Sequence, residues 1–318
     1  MYVSQNLGHY QYLPEKIMDN IKVAIIGLDT SHSTAFPKFM QDPAIPAENR
    51  ISGLQAISCL RFETAFQRKE GLDKRQKYLE SIGIKVTENF DEAVSGCDAI
   101  MLEINDPALH LEFFEKCAPL GKRIFIDKPF ADTTGNMLKI IEAAKKYDVE
   151  FFTSSSLRYD VDLTAGIAKC PSPRRATVWG PVGKAASGSG IIWYGCHAFE
   201  MLETVMGRGA VSVSGIQDAA GYIFEISYAD GRRGTVELTP ASPFGAILRD
   251  AEFNCTAVNV SGKIPFYQML LQEIVRFFRE GKALALEDSI EVMAILAAAD
   301  RAVHSGKTET VYNFQLPF

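Results

Sequence analysis

Six short apolar runs alternate with helical stretches between residues 21 and 153, and few folds accommodate such a rhythm. The runs fall at 21–26, 54–60, 84–87, 98–104, 123–127 and 149–153. The first, IKVAII, is almost continuously apolar, as expected of a strand covered on both faces. A helix follows it, with Pro37 near the first turn and Pro43 and Pro46 beyond the end. Further helices are expected at 73–81, at 107–118 before Pro119 and Gly121, and from a cap at Asp132 or Thr133 to about Tyr147. In the last of these, Met137, Leu138, Ile140 and Ile141 recur at helical spacing. Strands and helices in strict alternation imply a doubly wound parallel sheet of Rossmann type, with a ligand crevice at the carboxyl ends of its strands.

After residue 156 the rhythm changes. Segments 174–180, 210–216, 221–228 and 233–239 read as antiparallel strands, and Ala229-Asp230-Gly231 joins the last two as a hairpin. Helices are expected at 191–206, 265–280 and 288–304. The second half is therefore α+β: an open antiparallel sheet with helices. Three segments follow: an N-terminal extension at 1–17, a Rossmann dinucleotide-binding domain at 18–156, and an α+β substrate-binding and oligomerisation domain at 157–318. A length of 318 residues with 47% hydrophobic content suits two such cores.

Charge and cysteine usage narrow the partners. The net charge is −6, and the densest basic cluster, Arg68, Lys69, Lys74, Arg75 and Lys77, is interleaved with Glu70 and Asp73. That is a solvated helix face rather than a nucleic-acid surface. Six cysteines are scattered without a C-x-x-C pair, which favours a reducing cytoplasm. No export signal and no membrane-length apolar segment is visible, so a membrane partner is not expected.

The turn after the first strand, Gly27-Leu28-Asp29-Thr30-Ser31-His32, occupies the place of the G-x-G-x-x-G dinucleotide fingerprint and keeps only its first glycine. A carboxylate at Asp29 repels pyrophosphate, whereas Thr30, Ser31 and the helix N-terminus offer donors. Asp29 and Ser31 also suit simple helix capping, and His32 a packed imidazole. The acidic residue that would bind NAD ribose is missing after the second strand, where Arg61 stands instead. NADP is thereby as admissible as NAD, and an ordinary surface arginine remains the alternative.

Asp127-Lys128-Pro129 lies at the carboxyl end of a buried strand, hence at the crevice edge. Proline biases Lys128 to an extended backbone, and a partly desolvated lysine polarises a carbonyl or shares a proton with a hydroxyl. In the second half, Trp193-Tyr194-Gly195-Cys196-His197 leads into a helix carrying Glu200. His197 suits proton transfer at neutral pH; a buried hydrogen-bonded histidine is the competing reading. His197 and Glu200 also suit a divalent metal, but the sequence offers no third ligand beside them, and no metal is expected there.

Taken together, the strings IKVAIIGLDTSH, NDPALH, IFIDKPFA and GCHAFEML resemble the Gfo/Idh/MocA oxidoreductases, the family of glucose-fructose oxidoreductase and inositol dehydrogenase. DKP is similar to the family's E-K-P signature. The resemblance implies that Lys128 is the catalytic lysine and His197 the catalytic histidine, and that Asn105 and Asp106 line the cofactor. It places Arg158 and Tyr159 on the segment leading into the substrate domain. It further implies NAD or NADP as cofactor and hydride exchange with a secondary hydroxyl carbon of a sugar, cyclitol or related polyol. Two departures stand out. The glycine loop is degraded, and Trp193 replaces the family's aspartate four residues before the histidine, giving an apolar wall that Tyr194 adjoins. Two other functions remain open: a redox-neutral lyase or epimerase on the same scaffold, and a nucleotide- or sugar-binding sensor without turnover. The open sheet face suggests a homodimer or homotetramer.

Overall fold

A computed structural model describes residues 19–262 and 266–314. The extension expected at 1–17 lies outside them. Strands β1 (Ile21–Ile26), β2 (Leu54–Leu60), β3 (Lys85–Thr87), β4 (Ala99–Leu102), β5 (Ile124–Ile126) and β6 (Phe151–Thr153) form one sheet in the order β3-β2-β1-β4-β5-β6. All its pairings are parallel. The chain builds outward from β1 in one direction and then from β4 in the other, so the crevice opens where β1 and β4 diverge. From Val23 to Ile26 and throughout β4 and β5 every residue is buried, because helices cover both faces.

Those helices are α1 (His32–Gln41), α2 (Lys69–Ser81), α3 (Phe90–Val94), α4 (His110–Cys117) and α5 (Thr134–Tyr147). Thr133 caps α5, its hydroxyl accepting from Asn136 N–H at 3.1 Å. Two expectations need correction. Helix α1 starts at His32, so Pro37 sits in its interior, where it leaves the Ser33 carbonyl without its usual helical donor. The single helix expected over 107–118 is a 3₁₀ turn at Pro107–Leu109, then α4, then a second 3₁₀ turn at Ala118–Leu120.

Helix α6 (Val161–Lys169), capped by Asp160, leads to the second sheet. Its strands are β7 (Arg175–Pro181), β8 (Ala210–Asp218), β9 (Gly221–Tyr228), β10 (Arg233–Thr239), β11 (Gly245–Arg249), β12 (Cys255–Asn259) and β13 (Glu309–Thr310), ordered β12-β11-β7-β10-β9-β8-β13. The sheet is mixed rather than wholly antiparallel: the hairpin carries β10 back between β9 and β7, which it meets in parallel. A π-helical turn at Ile191–Gly195 runs into α7 (Cys196–Met206), and α7 and α9 (Leu286–Ser305) cover one sheet face. Phe199 and Leu202 meet Phe224, Val236 and Leu238 in that core.

Helix α8 (Phe266–Glu280) comes from the second half of the sequence but packs on the first domain. Leu270, Leu271, Ile274 and Phe277 join Val23, Ile25, Phe36 and Phe125 in one core, with the Phe277 ring 5.7 Å from that of Phe152. The spatial division therefore does not follow a single cut near residue 156.

Candidate active site

Gly27 ends β1 at φ +107°, and a Cβ there would collide with the Glu103 carbonyl. The backbones of the β1 and β4 ends thus approach as only glycine permits. Asp29, two residues on, is buried and turned inward: Oδ1 accepts from Asn105 N–H at 2.9 Å and Oδ2 from the Thr64 hydroxyl at 2.8 Å. Burial raises its pKa, and those two donors oppose the rise. Its charge is spent on tying the β4 loop to the turn. Ser31 is exposed at the start of α1 and makes no side-chain cap, so the helix N-terminus faces outward. The Thr30 hydroxyl accepts from His32 N–H at 3.3 Å.

His32 stands at the third-glycine position, and its ring points into the protein. Nδ1 lies 2.7 Å from Asp127 Oδ2, and the ring stacks on Phe36 and meets the edge of Tyr267 on α8, each at 5.0 Å. Glu103, at the end of β4, is fully buried next to them. Burial and the neighbouring Asp127 charge push its carboxyl well above the usual range, with Lys128 opposing. Burial also works against ionisation of Asp127, yet the attraction and hydrogen bond of His32, with Lys128, hold its pKa below the ordinary value.

Lys128 follows Asp127, is joined to Pro129 by a cis peptide bond, and is buried, with its ammonium 5.8 Å from the Tyr194 ring centroid. The Tyr194 ring lies 5.1 Å from that of His197, so Lys128, two residues beyond β5, and His197 of α7 meet around one aromatic ring of the π turn. Burial, then the Lys128 charge, pushes the His197 pKa well down. Its Nδ1 is 2.6 Å from Ser155 Oγ, which also accepts from Leu157 N–H at 3.2 Å. Trp193 donates from Nε1 to Asn105 Oδ1 at 2.9 Å, and its ring lies 5.3 Å from Phe66, so it bridges the two domains.

Four expected site residues, Arg158, Tyr159, Asp106 and Arg61, have other partners. Arg158 is buried and bound to Glu200 at 3.1 Å and Glu203 at 2.7 Å, which makes it an ion-pair hub beneath α7 rather than a crevice side chain. Tyr159 packs beside that hub, against the core that α8 completes. Asp106 caps the 3₁₀ turn, accepting from Ala108 N–H at 3.1 Å. Glu200 also accepts from Ser155 N–H at 2.8 Å, so its carboxylate serves Arg158 and Ser155 rather than pairing with His197 around a metal. Arg61 pairs with Asp73 at 2.9 Å and Glu88 at 3.7 Å. The residues missed by sequence reasoning are Glu103, Ser155 and Tyr267. Only Glu103 left a signal, a carboxylate at the crevice end of an apolar strand.

A bound dinucleotide is compatible with this architecture. The tight turn survives at Gly27, the carboxylate at the second position is folded away from the turn surface, and the Ser31 side chain caps no α1 amide.

Known proteins place the fold. No curated protein matches the sequence. Myo-inositol dehydrogenase from Lactobacillus casei, solved with NAD(H) and myo-inositol, superposes with a TM-score of 0.75 at 15% identity, covering 94% of this chain and 99% of its own. GenD2 from gentamicin A biosynthesis, solved with NAD, gives 0.75 at 14% identity over 94% and 98%. A myo-inositol dehydrogenase from Corynebacterium glutamicum gives 0.72 at 12% identity over 93% and 100%. At such identities these likenesses speak for the fold. Residues 21–155 match the model of the Gfo/Idh/MocA family, an oxidoreductase family with an NAD-binding Rossmann fold, and over that domain the chain is similar to it.

Proposed function

We propose that the protein is an NAD(P)-dependent dehydrogenase that moves a hydride to or from a secondary hydroxyl carbon of a sugar, cyclitol or related polyol. The observation that carries this reading is the convergence of Lys128 from the first domain with Tyr194 and His197 from the second. Gly27, Thr30, Ser31 and the α1 N-terminus would hold the cofactor phosphates, and Asn105 the inner edge of its site. When bound, the nicotinamide supplies or accepts the hydride. Lys128 donates a hydrogen bond to the reacting oxygen and stabilises its negative charge.

His197 is held neutral. The Ser155 hydroxyl accepts from Leu157 N–H, and we assign its own proton to His197 Nδ1, which leaves the ring proton on Nε2. His197 then presents an N–H to a substrate carbonyl, an arrangement suited to the reductive direction. Trp193 and Tyr194 give the substrate an apolar wall. Arg61, neutralised by Asp73 and Glu88, has little charge to spare for a 2′-phosphate, which favours NAD over NADP. Five buried free thiols support a reducing cytoplasm. Association through the outer face of the second sheet would make a homodimer or homotetramer.

The test is a panel of polyols and their ketones assayed with both nicotinamide cofactors. Lys128→Met should lower kcat/KM by roughly 10²–10⁴-fold while NADH fluorescence still reports binding. Undiminished turnover in Lys128→Met refutes the assignment. The carboxylates crowding the phosphate turn favour a second reading, a ligand sensor, which tight binding without turnover across the panel would select.

A further inference from the structure

We propose that His32, Glu103 and Asp127 bind a divalent metal ion at the carboxyl ends of the parallel strands. The three side chains come from three neighbouring elements, the first turn of α1 and the ends of β4 and β5, and one donor atom of each lies within 4.8 Å of the others. This is the group of His, Cys, Asp and Glu side chains with metal-ligand proximity among the described residues. None is exposed: His32 shows 6%, Glu103 0% and Asp127 1% of its surface.

Their carboxyl groups keep oxygens that no protein donor uses. Both Glu103 Oε atoms and Asp127 Oδ1 are buried without a hydrogen-bond partner. Buried polar atoms are almost always satisfied, and buried carboxylates survive by pairing or by coordinating metal. Lys128 acts on both carboxyl groups, and a metal ion would take the place of the proton that burial favours on Glu103. Phe36 and Tyr267 pin the imidazole from two sides, fixing a ligand that would otherwise rotate.

One imidazole nitrogen and two carboxylates form a nitrogen–oxygen donor set of the kind that takes Zn²⁺, Mn²⁺, Fe²⁺ or Co²⁺ and leaves coordination positions for a ligand or water. A divalent ion would cancel the two carboxylate charges beside the phosphate turn. The proposal does not depend on the dehydrogenase reading. Its competitor is a proton on Glu103, which leaves the cluster closed to metal.

The test is titration of the chelator-dialysed full-length protein with Co²⁺, Zn²⁺ and Mn²⁺ alone, by calorimetry and, for Co²⁺, visible absorption. One equivalent per chain is expected, with weak d–d bands and no intense near-ultraviolet sulfur-to-cobalt band. Glu103→Gln and Asp127→Asn should each weaken binding by at least about tenfold, whereas Cys255→Ser, which removes the exposed thiol, should change nothing. Failure of the wild-type protein to bind any of the three ions overturns the proposal without recourse to the variants. So does binding that both carboxylate variants retain, or binding that Cys255→Ser abolishes. NADH titrations on the same samples separate the two claims: nucleotide binding without metal binding sinks this one and leaves the proposed function standing.

Discussion

His197 is a base placed where water scarcely reaches and where a lysine ammonium adds to the cost of charging it. Its folded pKa lies below that of the unfolded chain, near 6.5, so the unfolded state binds the extra proton first as pH falls. Stability is therefore intact above about pH 6.5 and erodes below it, by up to about 1.4 kcal/mol per pH unit for this group. Urea unfolding between pH 5 and 8 should show that slope, and His197→Gln should flatten it. A smaller question concerns Gly27: Gly27→Ala places a Cβ against the Glu103 carbonyl at a left-handed φ, and should destabilise by about 1–3 kcal/mol in the same assay. At this scale the sequence singled out Lys128 and His197 because one closely follows an apolar strand and the other lies at the start of a helix. Arg158 was misplaced because its partners Glu200 and Glu203 lie on α7, more than forty positions away along the chain. Glu103 passed for strand because its neighbours Met101, Leu102 and Ile104 are apolar and buried.

Among the elements, α7 is tethered from beneath by its buried carboxylates Glu200 and Glu203. Arg158→Met removes the cation between Glu200 and Glu203 and leaves two buried carboxylates facing each other, so a loss of roughly 3–5 kcal/mol is expected in thermal or urea unfolding. Because Glu200 also holds Ser155 N–H, the His197–Ser155 contact should loosen with it. The π turn ahead of α7 presents Trp193 and Tyr194 to the crevice within one short segment. The βαβ alternation was legible because fully buried parallel strands leave unbroken apolar runs. Strands β11 and β12 escaped notice: β11 is only five residues long, and β12 buries only Val258. The parallel pairing of β7 with β10 was equally hidden, since local pattern says nothing of which strand a hairpin returns beside.

At the scale of the molecule, the second sheet turns one face to α7 and α9, and among the described residues the other is open. The paired Ile216 and Ile223 lie on that open side at 68% and 47% exposure, with Glu225 and Arg233 forming a 3.5 Å ion pair nearby. If this face joins copies of the chain, sedimentation at micromolar concentration should report a dimer or tetramer that Ile223→Lys reduces to monomer. Helix α8 carries a further consequence. Its apolar side completes the cover that α1 and α2 begin on that face, with Phe277 on Phe152, so part of the sheet that emerges first from the ribosome stays bare until residue 280 has been made. An excised fragment stopping at residue 156 would display that naked patch and clump, however complete its own strands.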